Sequence, residues 1–264
     1  MAYIVVAPIT LLHHPCLPQN NAGPTFWVGT QSAGGQFEAM WDRVGAVGHY
    51  DYGSLTMART LGSDPNQVAK NGRRVLVGWI GGTPASQSLA RDLSLSADYE
   101  LLQQFVPELQ MLRKPDTFAH TVVSAESNDA IVPHATGALQ LEVVATFSWS
   151  GEAPSAPFGV SVLGGTAKIS IDCTTKNADA PCMVVSPATG PVLPIGTKSV
   201  SVHAIVDHEI VETIANNRTA MVTYHKNIPS ATSTAVALFG TGAGITAELK
   251  TWVLNAANNA GPQP

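Results

Sequence analysis

Short apolar runs separated by glycine and other turn residues dominate the sequence and most constrain its fold. The segment "SVSVHAIVD" (199–207) places Val200, Val202, Ala204 and Val206 on one side of an extended chain. Such period-two alternation is typical of a strand buried on one face. Six more apolar runs bring the predicted strands to at least seven, which favours a β-sandwich. They are "GALQLEVVATFSW" (137–149), "FGVSVLGG" (158–165), "AKISIDC" (167–173), "EIVETIA" (209–215), "RTAMVTYH" (218–225) and "TAVALFG" (234–240).

The N-terminal part carries three similar but more widely spaced runs, "TFWVGT" (25–30), "SLTMART" (54–60) and "RRVLVGWI" (73–80). They predict strands of an all-β domain. The segment "DYELLQQFVPELQMLRKP" (98–115) has a different pattern, because its large apolar residues recur every three to four positions until Pro115. That spacing predicts a short amphipathic helix, kinked at Pro107, which connects two domains.

Composition and motifs exclude several classes of function. Only 12% of the 264 residues are charged, the net charge is -5, and no Lys/Arg-rich run occurs, so nucleic acid is not an expected partner. The apolar N-terminus "MAYIVVAPITLLHHPCLPQ" lacks a basic start and is too short to span a bilayer, so we expect neither a signal peptide nor a membrane segment. No Gly-x-x-x-x-Gly-Lys, Gly-x-Ser-x-Gly or metal-ligand spacing occurs, and we expect no cofactor and no metal.

The three cysteines are too few for a disulfide scaffold. Cys173 and Cys182 are close enough in sequence to be bridged across a hairpin, but two free buried thiols are the simpler interpretation. One Asn-x-Thr sequon, at residues 217–219, could carry a glycan if the chain were secreted, although a single sequon is common by chance.

Two clusters of motifs resemble glycoside hydrolase family 32, the invertases, inulinases and related fructosyltransferases. The first comprises "DYGSLTMART", "GRRVLVGWIGG", "QSLARDLSL" and "LLQQFVPELQMLR", which are similar to the end of that family's β-propeller. The second, "VDHEIVETIANNRTAMVTY" (206–224), is similar to its C-terminal β-sandwich. Each motif is weak alone, but their common order over residues 51 to about 240 makes the resemblance specific.

The resemblance implies an all-β fold in which a partial β-propeller of one to two blades precedes a β-sandwich. We expect an irregular leader (1–25), a propeller remnant (26–98), a helical connector (99–113), the sandwich (114–256) and a tail (257–264). The resemblance also implies cleavage or transfer of β-linked fructose with retention of configuration, which needs two carboxylates about 5 to 5.5 Å apart. Intact members of the family are expected to be extracellular or vacuolar.

The family's catalytic acids lie in Asn-Asp-Pro-Asn, Arg-Asp-Pro and Glu-Cys motifs, and none of these occurs here. Asp64 in "SDPN" imitates the nucleophile, but Asp-Pro-Asn is also common turn chemistry, which is our interpretation. Likewise, "ARDL" (90–93) imitates the stabilising Asp but matches the family's Pro-Arg-Glu-Leu segment. We therefore expect the chain to begin after the catalytic acids and to be inactive alone.

The resemblance assigns two residues to substrate binding. Trp79 of "GWIGG" matches a Trp that walls the fructose pocket, although it could equally be a core residue. Asp51 of "DYG" could face the floor of the funnel, or could cap a turn through backbone hydrogen bonds. Thr56 and Met57 stand where the family usually has an aromatic residue, so no sugar contact is expected from that strand. The acidic segment from Asp207 to Glu212 lies on a sandwich hairpin and is not expected to be catalytic.

The sequence therefore predicts the C-terminal part of a retaining glycosidase for β-fructosides, with sucrose or fructan as substrate once the missing blades are supplied. The alternatives are a non-catalytic carbohydrate-binding or assembly module, or part of a fructosyltransferase. The oligomeric state is not predicted.

Overall fold

The computed structural model of the chain describes residues 2–7, 24–32, 36–40, 47–61, 73–81, 85–126, 131–135, 138–174, 182–228, 230, 234–242 and 244–256. Its backbone divides into two compact units, residues 1–106 and 107–264. Strands predominate in both units, and the helices among the described residues are short 3-10 turns. The chain is thus all-β, as the sequence predicts.

The first sheet of unit 1 has four antiparallel strands. Its central strand β2 pairs with β1 on one side and with β3 and β4 on the other. The strands are β1 (Ala2–Ala7), β2 (Thr25–Gln31), β3 (Phe37–Ala39) and β4 (Val47–His49). The rings of Phe26 and Tyr50, both buried, lie 5.2 Å apart in a tilted contact. Tyr50 thereby packs the end of β4 against β2.

The second sheet of unit 1 has five antiparallel strands in the order β5-β6-β8-β9, with β7 also paired to β6. The strands are β5 (Leu55–Leu61), β6 (Arg74–Ile80), β7 (Ser86–Gln87), β8 (Arg91–Leu95) and β9 (Leu101–Phe105). Gly78 is required by the close approach of β5, because a Cβ atom there would lie 2.6 Å from Cδ1 of Leu55. Two small antiparallel sheets of this size are the blade-like elements that the sequence predicts. The expectation of an irregular leader (1–25) is wrong at residues 2–7, because they form β1 and pair with β2.

The predicted helical connector at 99–113 is wrong in its first half. Residues 101–105 form strand β9, paired with β8, and a 3-10 helix follows at Pro107–Leu112. Leu101, Gln103 and Phe105 are buried while the residues between them are more exposed. A spacing of four between Leu101 and Phe105 fits both a helix and a strand, and pairing with β8 decides for the strand. The boundary between the units consequently falls after Val106.

Unit 2 is a β-sandwich of two antiparallel six-stranded sheets, in the orders β10-β21-β12-β17-β18-β19 and β11-β20-β13-β14-β15-β16. The strands of the first sheet are β10 (Ala119–Val123), β12 (Gln140–Trp149), β17 (Ser199–Asp207), β18 (Ile210–Ala215), β19 (Thr219–Tyr224) and β21 (Ile245–Val253). Those of the second are β11 (Ile131–Ala135), β13 (Phe158–Val162), β14 (Ala167–Asp172), β15 (Met183–Ser186), β16 (Ala188–Pro191) and β20 (Val236–Phe239). Short 3-10 turns lie at Pro115–Thr117 and Leu163–Gly165.

The two sheets of the sandwich pack face to face through alternate apolar residues. On β17, Val200, Val202, Ala204 and Val206 are all at most 1% exposed, as their alternation predicts. Phe158 of one sheet meets two aromatic rings of the other, with ring centroids 5.4 Å away at Phe147 and 5.7 Å away at Trp149. Removing this apolar surface from water, at about 25 cal/mol per Å2, is the main stabilising contribution to the sandwich.

A disulfide joins Cys173 to Cys182, with a Cα–Cα distance of 4.0 Å. The interpretation of these residues as two free thiols is therefore wrong. Cys173 follows β14 and Cys182 precedes β15, and the pairing of Asp172 with Met183 brings the two cysteines opposite each other. No helix among the residues described here is long and apolar enough to cross a membrane.

Candidate functional site

Trp79 is a large aromatic side chain that the second sheet of unit 1 presents to solvent. Along β6, Leu76 and Ile80 are buried while Trp79, on the opposite face, is 50% exposed. The backbone of Trp79 pairs with Thr56 of β5 on one side and with Gln87 of β7 on the other. An indole held on a sheet with its apolar surface exposed can stack on the apolar face of a sugar ring.

The strand next to Trp79 is irregular at the point where it passes the indole. The register of β5 against β6 shifts between Thr56 and Arg59, which marks a bulge. Within it, Met57 adopts a positive φ of 47° and is 82% exposed. The Thr56 hydroxyl donates to the Trp79 carbonyl oxygen at 3.1 Å. Bulges re-aim side chains and are common beside binding sites, and this one places Thr56 directly next to Trp79.

Asp51 is held in a buried ion pair beneath this sheet. Its Oδ2 accepts from Nη2 of Arg91 at 2.9 Å, and the two side chains are 0% and 1% exposed. Its Oδ1 accepts from the Gly53 N–H at 2.8 Å, which is the turn-capping role considered from the sequence. Gln103 Nε2 donates to the Tyr50 carbonyl oxygen at 3.1 Å. This network connects residues 50 and 51, which follow β4, to β8 and β9. The sugar contact assigned to Asp51 stays a prediction.

The segment "ARDL" is used for two ion pairs. Arg91 is buried against Asp51, while Asp92 accepts from Nε and Nη2 of Arg73 at distances of 2.7 to 3.1 Å. A carboxylate engaged by both donors of one guanidinium is held by charge-assisted hydrogen bonds. Asp92 therefore holds Arg73, the residue before β6, beside β8.

Two other groups were considered from the sequence, Asp64 and the acidic segment that begins at Asp207. Asp64 lies outside the described residues. Asp207 ends β17, and His208 and Glu209 form the turn to β18, so the segment lies on a sandwich hairpin as predicted. His208 has a φ of 55°, and its Nδ1 lies 2.8 Å from Asp207 Oδ1. Within the described part of the chain, no group of three or more His, Cys, Asp or Glu side chains could hold a metal ion.

Sequence reasoning missed a buried charged cluster in unit 2. Glu142 of β12 accepts two hydrogen bonds of 2.7 Å from Arg113, and its Oε1 lies 2.8 Å from His203 Nε2. The Arg113 guanidinium stacks on the Trp252 ring at 3.9 Å from its centroid. Burial alone raises the pKa of Glu142, but hydrogen bonds and charge from Arg113 and His203 outweigh it and lower this pKa to about 2. The sequence feature that indicates this cluster is the single Glu inside the apolar run "LEVVA".

The fold class is all-β, with small blade-like antiparallel sheets in unit 1 and a β-sandwich in unit 2. Among solved structures, the chain is similar to fructan 1-exohydrolase IIa from Cichorium intybus, with a TM-score of 0.66 and 17% identity over 89% of this chain and 55% of that one. It is also similar to exo-inulinase from Aspergillus awamori, with a TM-score of 0.66 and 15% identity over 89% and 50%.

A third similar structure is the β-fructofuranosidase of Aspergillus kawachii, with a TM-score of 0.60 and 18% identity over 100% of this chain and 56% of that one. This chain thus spans about half the length of the solved structures that it matches. No protein-family model and no curated protein sequence matches it. The resemblance to glycoside hydrolase family 32 is confirmed in the fold.

Proposed function

We propose that this chain is the C-terminal part of a retaining glycosidase that acts on β-fructosides such as sucrose or fructan. The observation that carries the proposal is the exposed Trp79 on a blade-like sheet of a propeller-plus-sandwich fold. The motifs "DYG", "GRRVLVGWIGG" and "ARDL" occur in the order that the resemblance implies. The second of them provides β6, which carries the indole, and the third provides β8, which pairs with the start of β6.

The solvent exposure of each side chain indicates whether it can contact a ligand or only supports the sheet. Trp79 can meet a ligand directly, since half of its surface is open to solvent. Asp51 and Arg91 are fully buried and paired with each other, so they act as positioning residues that hold β8 against the chain leaving β4. We propose that Trp79 stacks on the sugar and that Asp51 supports the sheet beneath it.

The chemistry of retention requires one carboxylate to attack the anomeric carbon and another to protonate the leaving oxygen. Asp51 and Asp92 are both held by arginines, and the three acidic motifs of the family do not occur in these 264 residues. Loss of both carboxylates would remove the covalent step and the proton transfer together. We therefore propose that this chain contributes the sugar-facing wall of a site and does not by itself cleave β-fructosides.

Titration of the full chain with 1-kestose, sucrose and inulin, followed by calorimetry and tryptophan fluorescence, tests the proposal. We expect binding without release of fructose. We expect Trp79→Ala to weaken binding at least about tenfold, or about 1.4 kcal/mol. Met111→Ala is the matched control, because Met111 is also an apolar side chain with 50% exposure but lies in unit 2. Unchanged affinity in Trp79→Ala would refute the contact, and turnover by the wild-type chain would refute its inactivity.

A second candidate is part of a fructosyltransferase, because the fold is also similar to fructosyltransferase from A. japonicus, with a TM-score of 0.61 and 17% identity over 99% of this chain and 54% of that one. Adding the proposed N-terminal part of the enzyme as a separate chain would distinguish a hydrolase from a fructosyltransferase. Free fructose as the main product from concentrated sucrose supports the hydrolase, whereas longer oligosaccharides support the transferase. A non-catalytic module would bind sugar and yield neither product.

A further inference from the structure

The tip of the β18–β19 hairpin combines an asparagine sequon with an open position on the surface. Residues 216–218 form the turn, closed by a hydrogen bond from the Arg218 N–H to the Ala215 carbonyl oxygen at 2.9 Å. Asn216 and Asn217 both adopt positive φ angles, of 49° and 53°. Asparagine tolerates this region of backbone space better than most residues, which explains an Asn-Asn pair at the turn.

The two asparagines of the turn differ in what their side chains do. The Asn216 amide is fully engaged, because its oxygen accepts from the Ser201 N–H at 2.7 Å and its nitrogen donates to the Leu193 carbonyl oxygen at 2.9 Å. Asn217 is exposed, and its amide makes no hydrogen bond to any residue that the structure describes. Asn217 is also the one with Thr219 two positions later.

The remainder of the sequon is compatible with a modified Asn217. Thr219 is buried, and its hydroxyl donates to the Pro191 carbonyl oxygen, so this side chain is used for packing after folding. The turn lies at the start of β19, which is an edge strand of its sheet. A group attached at Asn217 would therefore project from the rim of the sandwich without displacing core side chains.

The disulfide between Cys173 and Cys182 is a separate observation that points in the same direction. Disulfides form and persist in oxidising compartments such as the secretory pathway, and they are rare in the cytosol. The secretory pathway is also where asparagine sequons are modified. An exposed sequon asparagine and a cystine in one chain together indicate the same cellular route.

We propose that Asn217 is an N-glycosylation site and that the protein folds in an oxidising secretory compartment. In this reaction, Nδ2 of Asn217 bonds to C1 of the first sugar of a lipid-pyrophosphate-linked oligosaccharide. The bond from C1 to the pyrophosphate oxygen breaks, the lipid pyrophosphate leaves with that electron pair, and the amide loses one proton. No oxidation or reduction is involved. The attached oligosaccharide stands beside the edge of β19, where it hinders pairing with another chain.

The test is to express the full chain behind a cleavable secretion signal in a eukaryotic host and to digest it with peptide-N-glycosidase. We expect a mass loss on digestion of the wild type and of Thr219→Ser, which preserves the sequon. We expect none in Asn217→Asp, a substitution that the positive φ also tolerates. Equal thermal unfolding of undigested Asn217→Asp and the digested wild type shows that the variant is folded.

The protein isolated from its natural source provides the second measurement. Digestion in heavy-oxygen water should label Asn217 in the tryptic peptide that ends at Arg218, and alkylation without reductant should leave Cys173 and Cys182 unmodified. The proposal is overturned if the secreted wild type carries no enzyme-sensitive mass, or if that mass persists in Asn217→Asp. It is also overturned if the natural peptide is unlabelled or if both cysteines are alkylated.

Discussion

Replacing Glu142 by Gln tests how far the buried charged cluster stabilises the sandwich. The Glu142 side chain is 3% exposed, and its pKa falls from 4.5 to about 2 because Arg113 and His203 outweigh the effect of its burial. At about 1.4 kcal/mol per pKa unit, that shift corresponds to about 3 kcal/mol of stability at pH 7. Breaking a buried ion pair by removing one partner costs a similar amount, about 3 to 5 kcal/mol.

The pH dependence follows from the direction of the Glu142 shift. A carboxyl group whose pKa is lowered by folding contributes stability that is complete above its unfolded pKa of 4.5 and is lost as the pH falls toward about 2. Wild-type unit 2 should therefore lose stability over this range. Glu142→Gln should start about 3 kcal/mol lower at pH 7 and lose less stability on acidification, because residue 142 no longer takes up a proton.

Hydrogen exchange of peptides from β12 and β17 at increasing urea, at pH 7 and at pH 3, measures this difference within unit 2. Glu248→Gln is the matched control, because Glu248, like Glu142, is paired with one basic side chain and one histidine but is exposed on the neighbouring strand β21. We expect Glu248→Gln to change the urea midpoints little at either pH, because solvent and salt screen an exposed ion pair. Equal urea midpoints for Glu142→Gln and the wild type at pH 7, or equal losses between pH 7 and pH 3, would refute the reasoning.

Three further outcomes are expected. Cys173→Ser should destabilise unit 2 by about 2.5 kcal/mol, the chain-entropy value for a loop of this length, and thermal unfolding with and without reductant measures it. Asp51→Asn should cost about 3 to 5 kcal/mol in urea unfolding of unit 1, because it leaves Arg91 buried without its counter-charge; a neutral effect would contradict the buried pair. Phe158→Ala should cost about 3 to 5 kcal/mol in the sandwich, whereas the exposed Phe118→Ala should change its unfolding midpoint little.

The candidate site was only partly predictable. Trp79 could be singled out from its motif, and the position of a strand around it followed from the apolar run. The exposure of Trp79 could not be predicted, because the sequence "RRVLVGWI" is compatible with burial of either face of the strand. The packing of Leu55 on Gly78 determines which face is covered. The Asp51–Arg91 pair joins residues 40 positions apart, which no local pattern can reveal.

The sequence by itself determined the all-β class and ten strand positions, because period-two alternation of apolar residues records which face of a strand is buried. Tertiary structure decided what depends on distant partners. Residues 101–105 became a strand because β8 offers hydrogen bonds there. Cys173 and Cys182 became a disulfide because the register of β14 on β15 brings them together. Glu142 became a buried anion because Arg113 and His203, from separate segments, meet at β12. Local periodicity encodes burial, whereas pairing between segments is set only when the sheets assemble.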